Sequence, residues 1–186
     1  SQLETLGRYF SFVGQQDILG ALEGKNKLPE NSCLITFDDG LSCQYKNALP
    51  ILDKLRIPAI FFASGGAYQS RHGAILESHK IHWCMSHIAP NIFLDKINFY
   101  HKKFFGEEFD LRKYKIDDEA VRKQYHYGDI ETSRLKFILN YVFDEQMYKI
   151  IVDPIFSELV KDEKSFFNSF YLSRQQIREL AERRFL

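Results

Sequence analysis

Two adjacent carboxylates, Asp38 and Asp39, stand between an apolar run and Gly40 in the stretch "CLITFDDGLS" (33–42). Like charges side by side disfavour joint ionisation, so such a pair is either solvated in a turn or put to chemical use. Asp and Gly are favoured turn residues, which supports a solvated turn. Phosphoryl transfer by an aspartate nucleophile would place the second carboxylate two positions on, where Gly40 stands. A calcium loop needs several oxygen ligands over about 12 residues, and "DDGLSCQYKNAL" has no acidic residue after Asp39. Metal-assisted hydrolysis fits the adjacency. One carboxylate and two imidazoles hold a divalent ion that lowers the pKa of a bound water. Successive side chains at a strand end diverge, so one carboxylate can face the ion and its neighbour the water. From the residues alone, the turn and the hydrolytic site both stand.

The elements around the pair follow from periodicity. "RYFSFV" suits a short strand. "QDILGALEG" puts Ile18, Leu19 and Leu22 on one helical face, with Gly24 as its stop. "CLITF" is a short buried strand with Asp38 at its C-terminal end. Ala48, Leu49, Leu52 and Leu55 recur at helical spacing, and Pro50 suggests that the helix begins near it. "PAIFFASGG" is a second strand. Residues 31–66 therefore read as a βαβ unit with parallel strands and a right-handed crossover.

Residues 67–168 are rich in aromatic and charged residues and poor in strand signals, which predicts a mostly helical insertion. Its clearest helix is "SRLKFILNYVF", with Leu135, Ile138, Leu139 and Val142 on one face. "EQMYKIIVDPIFSELV" predicts two helical pieces broken near Pro154. "IDDEAVRK" opens a polar helix with N-terminal acidic charge. Residues 169–186 return to the strand-bearing part. Ser173 and Gln176 form a capping box there, Ile177, Leu180 and Ala181 make the apolar face, and "RFL" suits a strand start.

Lys+Arg and Asp+Glu are both 25, and this zero net charge argues against a nucleic-acid binder relying on a basic field. Hydrophobic residues at 45% support a packed core rather than disorder. No apolar run has the length of a membrane span. Cys33, Cys43 and Cys84 are too few and too odd in number for a disulfide framework, which favours a reducing, cytoplasmic setting. A signal removed before residue 1 would leave no trace in this sequence.

The run from Thr36 to Ala63, "TFDDGLSCQYKNALPILDKLRIPAIFFA", resembles the polysaccharide deacetylase family, also called NodB-like or carbohydrate esterase family 4. That family carries T-F-D-D-G at the end of its first barrel strand. A helix with an Ala-Leu-x-Ile-Leu-like stretch follows, matched by Ala48 to Leu52, and then a Pro-Ala-Thr-Phe-Phe-like strand, matched by Pro58 to Phe62 with Ile60 in place of threonine. "YLSRQQIRELAERRFL" is similar to the helix and strand leading to its second motif. The resemblance implies the N-terminal part of a distorted (β/α) barrel of NodB type carrying the helical insertion. It implies Asp38 as general base, Asp39 as ligand of a divalent metal, usually zinc, and Thr36 and Gly40 as shapers of the turn. The reaction implied is removal of N- or O-linked acetyl groups from a sugar or polysaccharide. The family's two histidine ligands lie in an H-[S/T]-x-x-H motif, which this sequence lacks and which would be expected after Leu186. An alternative is a non-catalytic glycan-binding domain on the same fold. An incomplete barrel also leaves sheet edges that a second copy could cover.

Outside that run, "SHKIHWCMSH" offers His79, His82, Cys84 and His87 at helical spacing, either as zinc ligands or as histidines flanking Trp83. His72, His101 and His126 stand alone and read as solvated. Phe99, Tyr100, Phe104, Phe105, Tyr125 and Tyr127 could stack on sugars or fill a core.

Overall fold

The computed structural model describes residues 2–69 and 73–183. The chain forms two compact units, one of residues 1–74 with 164–186 and one of residues 75–163.

The first unit opens with α1 (Gln2–Leu6), β1 (Ser11–Phe12) and α2 (Gln15–Leu22). β2 (Ser32–Cys33) and β3 (Ile35–Phe37) then follow each other with only Leu34 between them. β1 runs parallel to β2, and β4 (Ala59–Phe61) runs parallel to β3, pairing Ile35 with Ala59, Thr36 with Ile60 and Phe37 with Phe61. The expected βαβ unit is thus formed. The Val13 amide donates to the Cys33 carbonyl and the Phe62 amide to the Phe37 carbonyl. Residues 33 and 37 share parity, so β1 and β4 lie end to end along one edge. A Cβ on Gly14 would sit 2.9 Å from the Pro58 Cβ, so this junction requires glycine. Among the described residues these two small parallel sheets are the whole strand content, and no closed barrel forms. What stands is a mixed α/β region joined to an extensive helical one.

Alternation decides the faces. Ile35, Phe37 and Phe61 pack against Leu52, Ile57 and Ala59 on the helix side, with the Phe37 and Phe61 rings stacked at 4.7 Å. Thr36 and Asp38 fall on the opposite face, and both are exposed. The connecting helix begins earlier than expected. A π-helical segment, Gln44–Ala48, leads directly into α3 (Leu49–Leu55), with Pro50 in the first turn of α3. Pro50 has no N–H to give, and the π turn before it closes with the Leu49 amide donating to the Gln44 carbonyl. The expected apolar face of α2 is not buried: Leu19 is 41% and Leu22 79% exposed. The eight-residue helix meets too little of the unit to cover that face, whatever its periodicity.

The second unit is helical throughout its described elements. α4 (Glu77–His87) and α5 (Pro90–Phe105) come first, then α6 (Asp118–Gln124) and α7 (Ile130–Phe137). Asp117 and Asp129 cap α6 and α7 by accepting from the Glu119 and Thr132 amides. α7 continues as a π-helical segment, Ile138–Val142; Leu135, Ile138 and Leu139 are buried, whereas Val142 is half-exposed. α8 (Glu145–Met147) runs through a further π segment, Tyr148–Val152, into α9 (Asp153–Leu159). The expected break at Pro154 is therefore absent, because the π segment absorbs the missing donor as it does before Pro50. Lys80 pairs with Asp153 at 2.6 Å, and Lys96 and Tyr100 both reach the Glu158 carboxylate.

α10 (Glu163–Phe170) leads back to the first unit, which closes with α11 (Arg174–Glu182). The predicted capping box is present. The Gln176 amide donates to the Ser173 hydroxyl at 3.1 Å, and the Ser173 amide donates to the Gln176 side chain at 2.8 Å. Leu180 is buried with Leu49 and Leu172, and Ile177 packs on that cluster. Arg183 grips the Asp53 carboxylate at 2.6 and 2.7 Å. The strand expected at 184–186 lies outside the described residues. No described helix is long and apolar enough to cross a membrane.

Leu52 is 1% exposed at the centre of the helix-side core. Leu52→Ala should lower unfolding stability by about 3 kcal/mol, read as a shift of the urea midpoint without a change in slope.

Candidate active site at the end of strand β3

β3 ends at Phe37, and the chain turns within the next three residues. Asp39 has φ +70° and Gly40 has φ +66°, so two successive residues occupy the left-handed region. For an L-residue this costs roughly 1 kcal/mol or more, and Asp is among the few types that accept it. Gly40 is required on two counts. Its φ is positive, and a Cβ there would lie 3.1 and 3.2 Å from Ala63 atoms.

Four groups of polar contacts fix the turn. The Gln44 side chain donates to the Asp38 carbonyl at 2.7 Å and accepts from the Leu41 amide at 3.1 Å, so one amide group closes both ends. The Leu172 amide donates to the Gly40 carbonyl at 2.8 Å, next to an antiparallel bridge between Leu41 and Tyr171. The Ser42 hydroxyl donates to the Ser169 carbonyl. The Tyr68 hydroxyl, lying 3.5 Å from the position a Gly40 Cβ would take, donates to the Leu172 carbonyl at 2.8 Å. Burial pushes the Tyr68 phenol above its usual range, partly opposed by Arg174, so it remains a donor at neutral pH.

The turn separates the two carboxylates by environment: Asp38 is exposed, Asp39 half-buried. Thr36 shares the exposed face with Asp38, and Gly40 is buried beneath the turn. The parallel strands β3 and β4 run toward this end, so both point their C-termini at the site.

The remaining described sequence candidates lie in the second unit. His79 and Cys84 are buried on α4, while His82 and His87 are exposed. His87 stacks on Trp83 at 4.0 Å and pairs through Nδ1 with the Trp83 carbonyl. Burial pushes the Cys84 thiol up to about 12, so it is protonated at neutral pH. His101 is buried rather than solvated, its Nδ1 pairing with the Glu107 carbonyl at 2.7 Å. His126 is exposed, and His72 lies outside the described residues. Tyr100 and Tyr125 are engaged with Glu158 and Asn140, whereas Phe99, Phe104, Phe105 and Tyr127 are largely exposed. Among the described residues, no three His, Cys, Asp or Glu side chains converge to hold a metal ion.

The turn, its glycine and the parallel βαβ unit coincide with a family pattern. Residues 25–87 match the polysaccharide deacetylase family. The match covers about a third of the chain, from the loop before β2 to the end of α4. No curated protein and no solved structure matches the chain. Within the deacetylase match lie Thr36, Asp38, Asp39 and Gly40, together with Gln44 and Tyr68, which sequence reasoning missed. Gln44 carried a faint signal, as a polar residue at the first turn of a helix. The partnership of Tyr68 with Leu172 carried none, since it joins residues far apart in the chain.

Gly40→Ala should destabilise the protein by about 1–2 kcal/mol, from left-handed strain and the close approach of Ala63. Thermal unfolding followed by circular dichroism measures this, and a midpoint equal to the wild type would show that the turn relaxes.

Proposed function

We propose that this chain belongs to a metal-dependent hydrolase that removes N- or O-linked acetyl groups from a carbohydrate or polysaccharide, built on a NodB-type barrel. The observation that carries the reading is the Asp38–Asp39–Gly40 turn. It sits at the C-terminal end of β3 in a parallel βαβ unit, inside the segment that matches the deacetylase family.

Asp38 is the general base. Its exposed carboxylate can take a proton from the water that attacks the acyl carbon; that proton passes to the sugar nitrogen or oxygen as its bond to the acyl carbon breaks, releasing acetate and the free amine or hydroxyl. Asp39 is one ligand of a divalent ion, zinc by the resemblance. The described residues do not supply the others, which by the resemblance would be two imidazoles. Thr36 and Gly40 shape the floor of the site, and the substrate approaches the exposed face of β3.

Asp38→Asn in the full-length protein should lower kcat for acetate release from an N-acetylated oligosaccharide by roughly 10²–10⁴. The thermal midpoint should stay unchanged, because the side chain is exposed. Acetate release that survives the substitution removes Asp38 as the base. Retained oligosaccharide binding with no acetate release from the wild type favours the glycan-binding alternative.

A further inference from the structure

Tyr68 lies in the 3₁₀ turn Gly65–Tyr68 that follows β4, and its ring sits edge-on to Phe167 and Tyr171. Its hydroxyl donates to the Leu172 carbonyl, and the Leu172 amide donates to the Gly40 carbonyl. Leu172 is 1% exposed, so neither of its polar groups can turn to bulk water without opening the packing around it. Arg174 completes the arrangement by donating to the Tyr68 carbonyl at 2.7 Å, with its guanidinium 6.0 Å from the centre of the Tyr68 ring. The residue two positions after Leu172 thus holds the backbone of the residue whose side chain holds Leu172.

We infer that Tyr68 is a positioning residue for the Asp38–Gly40 turn, acting through Leu172. The hydroxyl orients the Leu172 backbone, and that backbone holds the carbonyl of a residue in the left-handed region. Gln44 fixes the turn from the helix side and the Tyr68–Leu172 pair from the α11 side. With both in place the carboxylates of Asp38 and Asp39 keep their separate environments. The inference rests on the hydrolase reading only for its catalytic consequence; the positioning itself is a property of the fold.

Tyr68→Phe in the full-length protein tests it, because the ring packing survives and only the hydroxyl is lost. Amide exchange at Leu172 should quicken about tenfold, the loss expected for one hydrogen bond. The carboxyl ¹³C resonances of Asp38 and Asp39 should move, which a general loss of stability would not cause. With an N-acetylated oligosaccharide as probe, kcat should fall while KM holds. Arg174→Gln should give the same changes in smaller measure. Wild-type exchange at Leu172 and unmoved carboxyl resonances in Tyr68→Phe overturn the inference, whatever the activity. Faster exchange and shifted resonances in a protein without hydrolase activity support the positioning and count against the hydrolase reading alone.

Discussion

The hydrogen bond from the Leu172 amide to the Gly40 carbonyl ties the turn after β3 to the chain that returns from the helical unit. The first unit depends on it. β3 must stop at Phe37, because Asp39 and Gly40 turn left-handed and no ladder continues through them. A turn of this kind exposes backbone groups that need partners. Gln44 supplies two and Leu172 one, and Ser42 reaches Ser169 beside them. α11 then settles on α3 through Leu180 and Leu49, with Tyr45 bound to Glu179 and Arg183 to Asp53. The return segment is therefore part of the site's scaffold, although it lies far from Asp38 in the chain.

A second constraint recurs in both units. Pro50 and Pro154 each stand where a continuous helix would need a backbone donor, and each is preceded by a five-residue π-helical segment. The wider turn removes the conflict, so neither helix breaks. In the first unit the consequence reaches the site. Helical structure begins at Ser42, and the π segment that follows brings the Gln44 side chain against the Asp38 turn.

Local patterns in the sequence carried local structure. The run "CLITF" marked a buried strand, of which Ile35 and Phe37 pack on the helix side while Thr36 is exposed, and Ser173 with Gln176 marked the start of α11. The position of Asp38 at a strand end could be read directly, whereas the shaping role of Gly40 came with the resemblance. Contacts between distant segments could not. Nothing in the spacing of Tyr68, Leu172 and Gly40 announces their chain of hydrogen bonds. Periodicity also says which residues share a face but not whether anything covers it, which is why Leu22 on α2 is exposed and His79 on α4 buried. Proline signalled a helix boundary at 154 because the rule reads α-helical bonding alone, and the π segment falls outside it.

The proposed hydrolytic site turns on Asp39, set apart from Asp38 by its left-handed backbone, as a metal ligand. The most direct measurement is anomalous X-ray diffraction at the zinc edge from crystals of the full-length protein grown with zinc. The expected result is an anomalous peak roughly 2.0–2.2 Å from an Asp39 carboxylate oxygen, with Asp38 outside the coordination shell. A peak bound to Asp38 instead, or zinc bound elsewhere with none at Asp39, would contradict it.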